Sequence, residues 1–196
     1  MFQAKASLIA TMVFAGLILV LAYPYAKARL SPIQPLPEPE ATLEQTSEVM
    51  APDTLQIPSL GIEAPIKYTE EESEAAYQLA LRDGVVRFPQ TPEPGELGNV
   101  YIFGHSSDYV WTPGNYKTVF ARLPEIALGS QIKVSNAEGQ VFTYTVFETK
   151  IVSPRDLSVL DQYNYERKIL SLQASYPLGT ALQRFIVIAE LDESQN

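Results

Sequence analysis

A hydroxyl group and a cation flank the turn of an apolar hairpin near the carboxyl end of the chain. Residues 170–190 read as a short apolar strand, a turn that contains Pro177 and Gly179, and a second, very apolar strand. Ser175 lies where the first strand meets the turn, and Arg184 lies near the start of the second strand. Hairpin pairing brings the two side chains toward each other, because proline and glycine favour a reversal between them. A serine beside a positive charge suits nucleophilic chemistry, but it needs a base.

The candidate base is His105, the only histidine in the chain. It follows the apolar residues 99–103 and Gly104, and small polar residues come after it. A lone histidine is usually structural, yet imidazole is the side chain that titrates nearest to neutral pH. A position just past a strand end would let the ring reach an open surface. His105 is therefore a candidate general base, and Asp108 is an acid that lies close along the chain.

The composition excludes several classes of site. The 196-residue chain has no cysteine, which excludes disulfides, thiolate metal sites and a cysteine nucleophile. A formal net charge of −9 argues against nucleic-acid binding, because phosphate recognition needs clustered Lys and Arg. A hydrophobic content of 46% is sufficient for a folded core. The sequence indicates no metal and no organic cofactor, so none is expected.

The amino-terminal part of the chain predicts a membrane attachment. Residues 7–23 are an uncharged apolar run at the short end of a membrane span, with tyrosines at its outer edge. We expect residues 1–29 to be a single N-terminal membrane anchor. The alternative is a signal peptide cleaved near the small-residue pattern at residues 26–28. Residues 30–53 are rich in proline and glutamate and predict an extended linker.

Residues 54–196 are expected to form the folded domain. Strands are predicted at residues 54–69 (two short strands broken at Pro58 and Pro65), 85–88, 99–103, 131–134, 140–152 and in the hairpin of residues 170–190. Residues 70–83 predict the main helix, which begins with acidic residues and stops at Gly84, and residues 117–123 predict a second short helix. Seven or eight short strands with so little helix indicate a mainly antiparallel β-barrel or sandwich.

Three blocks of sequence resemble the sortase family. They are Ile-Pro-Ser-Leu-Gly-Ile at residues 57–62, Pro-Gly-Glu-Leu-Gly-Asn at residues 94–99 with Gly-His-Ser-Ser at residues 104–107, and the segment at residues 171–184. The similarity extends over about residues 54–191, nearly the whole folded part. It implies a mainly β fold, a closed eight-stranded β-barrel with one or two short helices, preceded by an N-terminal transmembrane helix. It also implies a location on the extracellular face of a bacterial membrane.

The resemblance assigns roles to the three candidate residues. Sortases carry Thr-Leu-x-Thr-Cys at the end of the penultimate strand, where this chain has Ser-Leu-Gln-Ala-Ser at residues 171–175. Ser175 therefore matches the catalytic cysteine of the family, Ala174 the preceding threonine, His105 the histidine and Arg184 the arginine. The implied reaction cleaves a sorting-signal peptide such as Leu-Pro-x-Thr-Gly, in a surface protein or pilin. Its threonine carbonyl is then joined to an amine of a cell-wall precursor or a lysine side chain.

Because Ser175 stands where the family has cysteine, three interpretations of the activity remain open. In the first, which the resemblance favours, the chain is a slow transpeptidase or hydrolase, and His105 removes the proton from the Ser175 hydroxyl during attack. In the second, it is an inactive pseudoenzyme that binds the peptide without cutting it. In the third, a cysteine was replaced by serine in order to trap a substrate. Ala174 argues against this, because such a replacement would seldom alter the neighbouring residue too. A purely structural role for Ser175 and Arg184 is the remaining alternative.

Overall fold

The computed structural model describes residues 50–162 and 166–192, which form a closed barrel of eight strands. The strands are β1 (Thr54–Ile57), β2 (Ile62–Lys67), β3 (Val85–Arg87), β4 (Gly98–Phe103), β5 (Gln131–Ser135), β6 (Val141–Val152), β7 (Lys168–Tyr176) and β8 (Gln183–Leu191). Around the barrel they follow the order β1-β2-β3-β4-β7-β8-β6-β5. The predicted mainly β, closed eight-stranded barrel is therefore confirmed.

The predicted anchor at residues 1–29, and all of the predicted linker except residues 50–53, lie outside the described residues. In the part of the chain that the structure describes, no helix has both the length and the hydropathy needed to cross a bilayer. Residues 50–53 contact the barrel. Met50 is buried, and the Ser135 hydroxyl donates a hydrogen bond to the Ala51 carbonyl at 2.6 Å.

Most neighbouring strands pair antiparallel, but β2 with β3 and β4 with β7 pair parallel. A parallel pair cannot be joined by a tight turn and requires a long connection between its strands. Between β4 and β7 that connection includes the whole β5–β6 hairpin. β7 and β8 then pair antiparallel, as the sequence predicted for the final hairpin. The parallel β4–β7 pair is the arrangement that the sequence did not predict, and it positions the site described below.

Side-chain alternation places one set of residues inside the barrel and another set outside it. The inner face of β4, β7 and β8 contributes to the core with Val100, Ile102, Leu170, Leu172, Ala174, Phe185, Val187 and Ala189. The outer face of the same strands is also apolar. It carries the buried cluster Tyr101, Ile169, Ile186 and Ile188, against which Phe88, Val152, Val159 and Leu160 pack. This part of the barrel wall is therefore covered on both faces.

The helix predicted at residues 70–83 is shorter than expected. The only α-helix in the described residues, α1, extends over Glu74–Ala80. Ser73 is its N-cap, and the Ser73 Oγ accepts a hydrogen bond from the Ala76 amide at 3.2 Å. A serine oxygen at this position satisfies an amide of the first turn, so the helix begins there rather than at residue 70. The helix does not enter the core, since none of its residues is buried and Leu79 is 60% exposed.

Two other local predictions were wrong. Residues 117–123 form turns that lead into a 3-10 turn at Leu123–Glu125 instead of a helix. Strand β2 continues through Pro65, where we expected a break. The proline is tolerated because β3 begins to pair with β2 only at Ile66, so no neighbour on that side requires an amide proton from Pro65.

The inner face of β7 is the packing surface on which the final hairpin depends. Leu172 is fully buried in the core, whereas Leu182 in the β7–β8 turn is 73% exposed. We expect Leu172→Ala to lower the free energy of unfolding by about 2–5 kcal/mol, because it removes buried contacts and leaves a cavity. The matched exchange Leu182→Ala should change it by about 0.5 kcal/mol or less. Urea unfolding followed by circular dichroism measures both. Equal effects would contradict the assignment of the β7 faces.

Candidate active site

His105, Ser175 and Arg184 form a row at one edge of three neighbouring strands, with His105 just beyond the end of β4 and the other two on β7 and β8. β4 and β7 pair in constant register, from Gly98 opposite Lys168 to Phe103 opposite Gln173. His105 lies two residues beyond Phe103, and Ser175 lies two residues beyond Gln173, so both lie at the same edge of the β4–β7 pair. On the other side of β7, Ser175 is the direct partner of Arg184 in β8. Since adjacent strands are about 4.8 Å apart, Ser175 on β7 has Arg184 next to it on β8, and His105 follows the end of β4 on its other side.

The three side chains line one cleft on the outer face of the barrel, with a volume of about 310 Å³. Its floor is formed by outward-facing residues of β4 and β7, including Tyr101 and Gln173. One wall is α1, which contributes Glu74 and Tyr77, and the opposite wall is the connection between β6 and β7, which contributes Asp156 and Leu157. The cleft therefore brings the three sequence-predicted residues together.

Aromatic contacts hold α1 against the outer face. The rings of Tyr77 and Phe103 meet edge to face with their centroids 5.3 Å apart. Phe88, which follows β3, contacts Tyr101 in the same manner at 6.2 Å. Edge-to-face pairs add about 0.5–1.5 kcal/mol beyond the area that they bury. These contacts explain how a helix without buried residues still forms a wall of the cleft.

Close packing fixes the backbone at His105. The Gly104 amide donates to the Gln173 carbonyl at 3.1 Å, which continues the β4–β7 ladder by one residue, and the His105 carbonyl accepts from the Phe120 amide at 2.9 Å. A β-carbon at Gly104 would lie 2.8 Å from the Phe120 ring and 3.0 Å from a methyl group of Val85. Glycine is required here because the chain approaches the core too closely for a side chain.

Burial lowers the pKa of His105, and the negative charges of Asp108 and Glu74 partly oppose this effect. The ring is therefore mostly neutral at pH 7, which is the form that can accept a proton from a hydroxyl. Within the described residues no side chain or backbone group makes a hydrogen bond to the imidazole. The Asp108 carboxylate instead accepts from the Tyr109 amide at 2.6 Å and from the Thr112 hydroxyl at 3.0 Å. Asp108, the acid that lies close to His105 along the chain, is thus bonded within its own loop and not to the imidazole.

Arg184 is oriented by the turn that precedes it. Its Nη1 donates to the carbonyls of Ala181 and Gln183, at 3.1 and 3.0 Å. Its charge acts on Tyr101, where it lowers a pKa that burial raises more strongly. The guanidinium therefore places a positive potential on the cleft floor beside Ser175.

Sequence reasoning missed the residues that line the rest of the cleft, above all Tyr101 and Gln173. The Tyr101 hydroxyl donates to the Gln173 Oε1 at 2.7 Å. Strand periodicity could have found Gln173, because it precedes Ser175 by two residues and so shares its face. Tyr101 could be found only from the β4–β7 pairing. In residues 50–162 and 166–192, no three His, Cys, Asp or Glu side chains are grouped to hold a metal ion.

A closed eight-stranded barrel with a histidine, a hydroxyl and an arginine in one outer cleft is the architecture that the resemblance to sortases implies. The Sortase domain model matches residues 55–192, and the chain belongs to this family. Sortase D of Bacillus subtilis (strain 168) is 29% identical over 136 residues, which cover 68% of this chain and 60% of that protein. The chain thus spans less than two thirds of the length of that relative.

Solved sortase structures have the same fold. A Sortase D5 transpeptidase of Clostridium perfringens is 26% identical with a TM-score of 0.57, and the match covers 71% of this chain and 77% of that chain. Sortase C-1 of Actinomyces oris has a TM-score of 0.60 at 23% identity, with coverage of 71% and 72%. The second likeness shows the fold alone.

The single histidine allows a direct test of the electrostatics of the cleft. We expect its NMR titration midpoint to lie below the ordinary value near 6.5, because burial disfavours the charged ring. Glu74→Gln and Asp108→Asn should each lower the midpoint further, because each removes a charge that stabilises the imidazolium. The control Glu71→Gln, at an exposed position outside the cleft, should leave it unchanged.

The lowered pKa of His105 also determines how the stability of the folded chain depends on pH. The folded chain binds this proton less tightly than the unfolded chain, so the contribution of His105 to stability is present above about pH 6.5 and is lost as the pH falls through the lowered pKa. A midpoint above 6.5 would contradict the placement of the ring in a desolvated cleft.

Proposed function

We propose that the chain is a cell-surface sortase-type transpeptidase that cleaves a sorting-signal peptide similar to Leu-Pro-x-Thr-Gly and transfers its acyl group to an amine. The observation that carries this proposal is that His105, Ser175 and Arg184 line one cleft, in which Ser175 is the direct cross-strand partner of Arg184. Ser175 takes the role of nucleophile, His105 that of general base and acid, and Arg184 that of the oxyanion partner.

The first half of the reaction forms an acyl-serine. The Ser175 Oγ attacks the threonine carbonyl carbon while His105 takes the hydroxyl proton, and Arg184 stabilises the negative charge on the carbonyl oxygen. The carbon–nitrogen bond of the substrate then breaks. His105 gives its proton to the departing amine, and an oxyester to Ser175 remains.

The second half transfers the acyl group. An acceptor amine attacks the ester carbonyl, and His105 takes a proton from its nitrogen. The ester bond breaks, the proton passes to the Ser175 oxygen, and a new amide is released. Water in place of the amine gives hydrolysis. A cell-wall amine or a lysine side chain is the proposed acceptor, and a surface protein or pilin the proposed donor.

The relatives support the substrate class by name. The Clostridium perfringens neighbour is described as a transpeptidase, and the structure of a Streptococcus pneumoniae sortase C is described in terms of catalysis and pilin substrate specificity. For the present chain, the apolar run at residues 7–23 supports an N-terminal membrane anchor, and residues 30–53 support a linker between anchor and barrel. The extracellular location of the barrel is what the resemblance to sortases implies.

The chemistry of oxygen predicts a slow enzyme. A serine hydroxyl does not ionise near neutral pH, so its attack depends wholly on proton transfer to His105. Serine hydrolases orient their histidine with a carboxylate, and within the described residues none is bonded to this ring. This last observation favours the second candidate function, an extracellular pseudoenzyme that binds the peptide without cleaving it.

A serine-directed fluorophosphonate separates these two functions. We expect the probe to label Ser175, and His105→Ala to slow labelling by about 10²–10⁴-fold because the general base is lost. Intact-protein mass spectrometry measures the rate, Ser175→Ala shows the background, and Ser158→Ala, at an exposed serine, is the matched control. Labelling that survives His105→Ala at full rate would exclude the general-base role.

The substitution Ser175→Cys tests whether the barrel can catalyse acyl transfer when a thiol replaces the hydroxyl. We expect Ser175→Cys to raise acyl transfer from a Leu-Pro-Ala-Thr-Gly peptide to triglycine by about 10-fold or more, because a thiol ionises within reach of a histidine. Chromatography of the products measures the rate. Ser153→Cys, at an exposed residue outside the cleft, should show no gain. Peptide binding by Ser175→Cys without any cleavage would favour the pseudoenzyme.

A further inference from the structure

An exposed apolar turn follows His105 in the connection from β4 to β5. Its side chains are Tyr109, Val110 and Trp111, which are 67%, 86% and 76% exposed. The rings of Tyr109 and Trp111 stack, with their centroids 4.8 Å apart and their planes inclined by 11°. We call these three residues the aromatic tip. Three consecutive apolar side chains exposed to water have no role in a core and indicate contact with another molecule.

Hydrogen bonds inside the connection hold the backbone of the aromatic tip. The Tyr109 carbonyl accepts from the Thr112 amide at 3.1 Å, and the Val110 carbonyl accepts from the Lys117 ammonium at 2.9 Å. The Tyr109 amide donates to the Asp108 carboxylate. These backbone groups keep their partners when water is removed from around the tip, which lowers the cost of placing it in an apolar medium.

Exposed leucines project from the same edge of the barrel as the aromatic tip. β4, β6 and β7 end at this edge, and β8 begins there. Leu178 and Leu182 lie in the turn between β7 and β8, Leu157 follows β6, and each is at least 61% exposed. Apolar side chains therefore project from three connections, so the aromatic tip belongs to a larger apolar edge.

The aromatic tip has the chemistry of a lipid contact. Tyrosine and tryptophan combine an apolar ring with one polar group and are enriched where hydrocarbon meets water. Val110, between them, has no polar group in its side chain. A sugar or a charged partner requires polar side chains at the contact, and those that flank the tip, at Asp108, Thr112 and Lys117, are already bonded inside the connection. A bilayer is therefore the partner that the tip fits.

The amino-terminal sequence would hold such a bilayer within reach. Residues 24–49 separate the apolar run at residues 7–23, part of the expected anchor, from Met50, and fully extended they would span about 90 Å. β7, a strand of nine residues, is only about 30 Å long. The linker is thus long enough for any edge of the barrel to meet the membrane. A tether also keeps the local concentration of lipid high, so that a small apolar contact is sufficient for binding.

We propose that the aromatic tip inserts into the lipid–water interface of the bilayer and holds the active-site cleft beside it. Val110 enters the acyl boundary, and the rings of Tyr109 and Trp111 lie at the level of the headgroups. This role goes beyond the proposed function, because it does not depend on the chemistry at Ser175. Since Ser175 and His105 lie at the same edge of the barrel, insertion favours substrates that are themselves held at the membrane.

Trp111 is the only tryptophan in the chain, so its fluorescence reports on the aromatic tip alone. The full chain is reconstituted into vesicles of phosphatidylcholine, either ordinary or brominated on the acyl chains. Bromine quenches tryptophan only at short range, so we expect the brominated lipid to remove most of the Trp111 emission. This comparison needs no variant. Equal emission in the two kinds of vesicle would overturn the proposal.

Val110→Asp separates insertion of the aromatic tip from attachment by the anchor. A carboxylate at the apex is costly in an apolar layer, so the quenching should be lost while the chain still floats with the vesicles. Leu97→Asp adds the same charge at an exposed leucine just before β4, at the opposite edge, and should keep the quenching of the original chain. Circular dichroism checks the fold, and Val110→Ser serves if Val110→Asp does not fold. Quenching that persists in the folded Val110 variant, or that Leu97→Asp loses equally, contradicts insertion of the tip.

Other occupants of the aromatic tip give different results in the same vesicles. A second copy of the chain would shift the Trp111 emission to shorter wavelength as the protein-to-lipid ratio rises, without quenching by bromine. A soluble glycan would shift it only when added, again without quenching by bromine. Either result overturns the assignment to lipid and leaves the proposed function standing, because that function is tested by the reactions at Ser175.

Discussion

The candidate site depends on the backbone hydrogen bonds that join β7 to β4 on one side and to β8 on the other. These two ladders bring Ser175 to the same edge as His105 and Arg184, although the histidine is far away along the chain. A slip of either ladder by one residue would send alternate side chains to the opposite face. It is resisted because Leu172 and Ala174 would then leave the core, so the packing of the barrel also maintains the row of site residues.

The outer face of this wall is also buried in part. Aromatic side chains of β4 and α1 interlock over it, and the connection between β6 and β7 covers the other side. Exclusion of water from this surface lowers the local dielectric constant, which strengthens the electrostatic interactions of the charges that remain there. Asp108 and Glu74 act on the histidine, while Arg184 acts on the tyrosine of the floor. The cleft thus has carboxylates near its histidine and a cation near the other end of the row.

Oxygen in place of sulfur at the nucleophile position changes the proton transfer that His105 must carry out, and not the fold that positions the site residues. A thiol shares its proton with a nearby histidine before the substrate arrives, whereas a hydroxyl loses its proton only during attack. A neutral imidazole is suited to the second case, and burial of His105 favours that form. A carboxylate that would orient the ring is not bonded to it within the described residues, because Asp108 is held by its own loop.

The local hydrophobic pattern and the turn residues were sufficient to predict many strands of the barrel. The β7–β8 hairpin followed from its turn residues, and the pairing of Ser175 with Arg184 followed from the hairpin. Helix boundaries were predicted less well, since Ser73 caps α1 and the first acidic residues stay outside it. The helix expected at residues 117–123 was absent, because turns and a 3-10 turn suffice to bury Phe120 and Leu123.

The sequence by itself determined which residues have the chemistry: one histidine, a serine at a strand end, an arginine across a turn, and no cysteine. Only the tertiary structure decided that these residues share a cleft with Tyr101 and Gln173. The physical reason is the parallel pairing of β4 with β7. It joins segments separated by the β5–β6 hairpin, and local periodicity carries no information about which strands become neighbours.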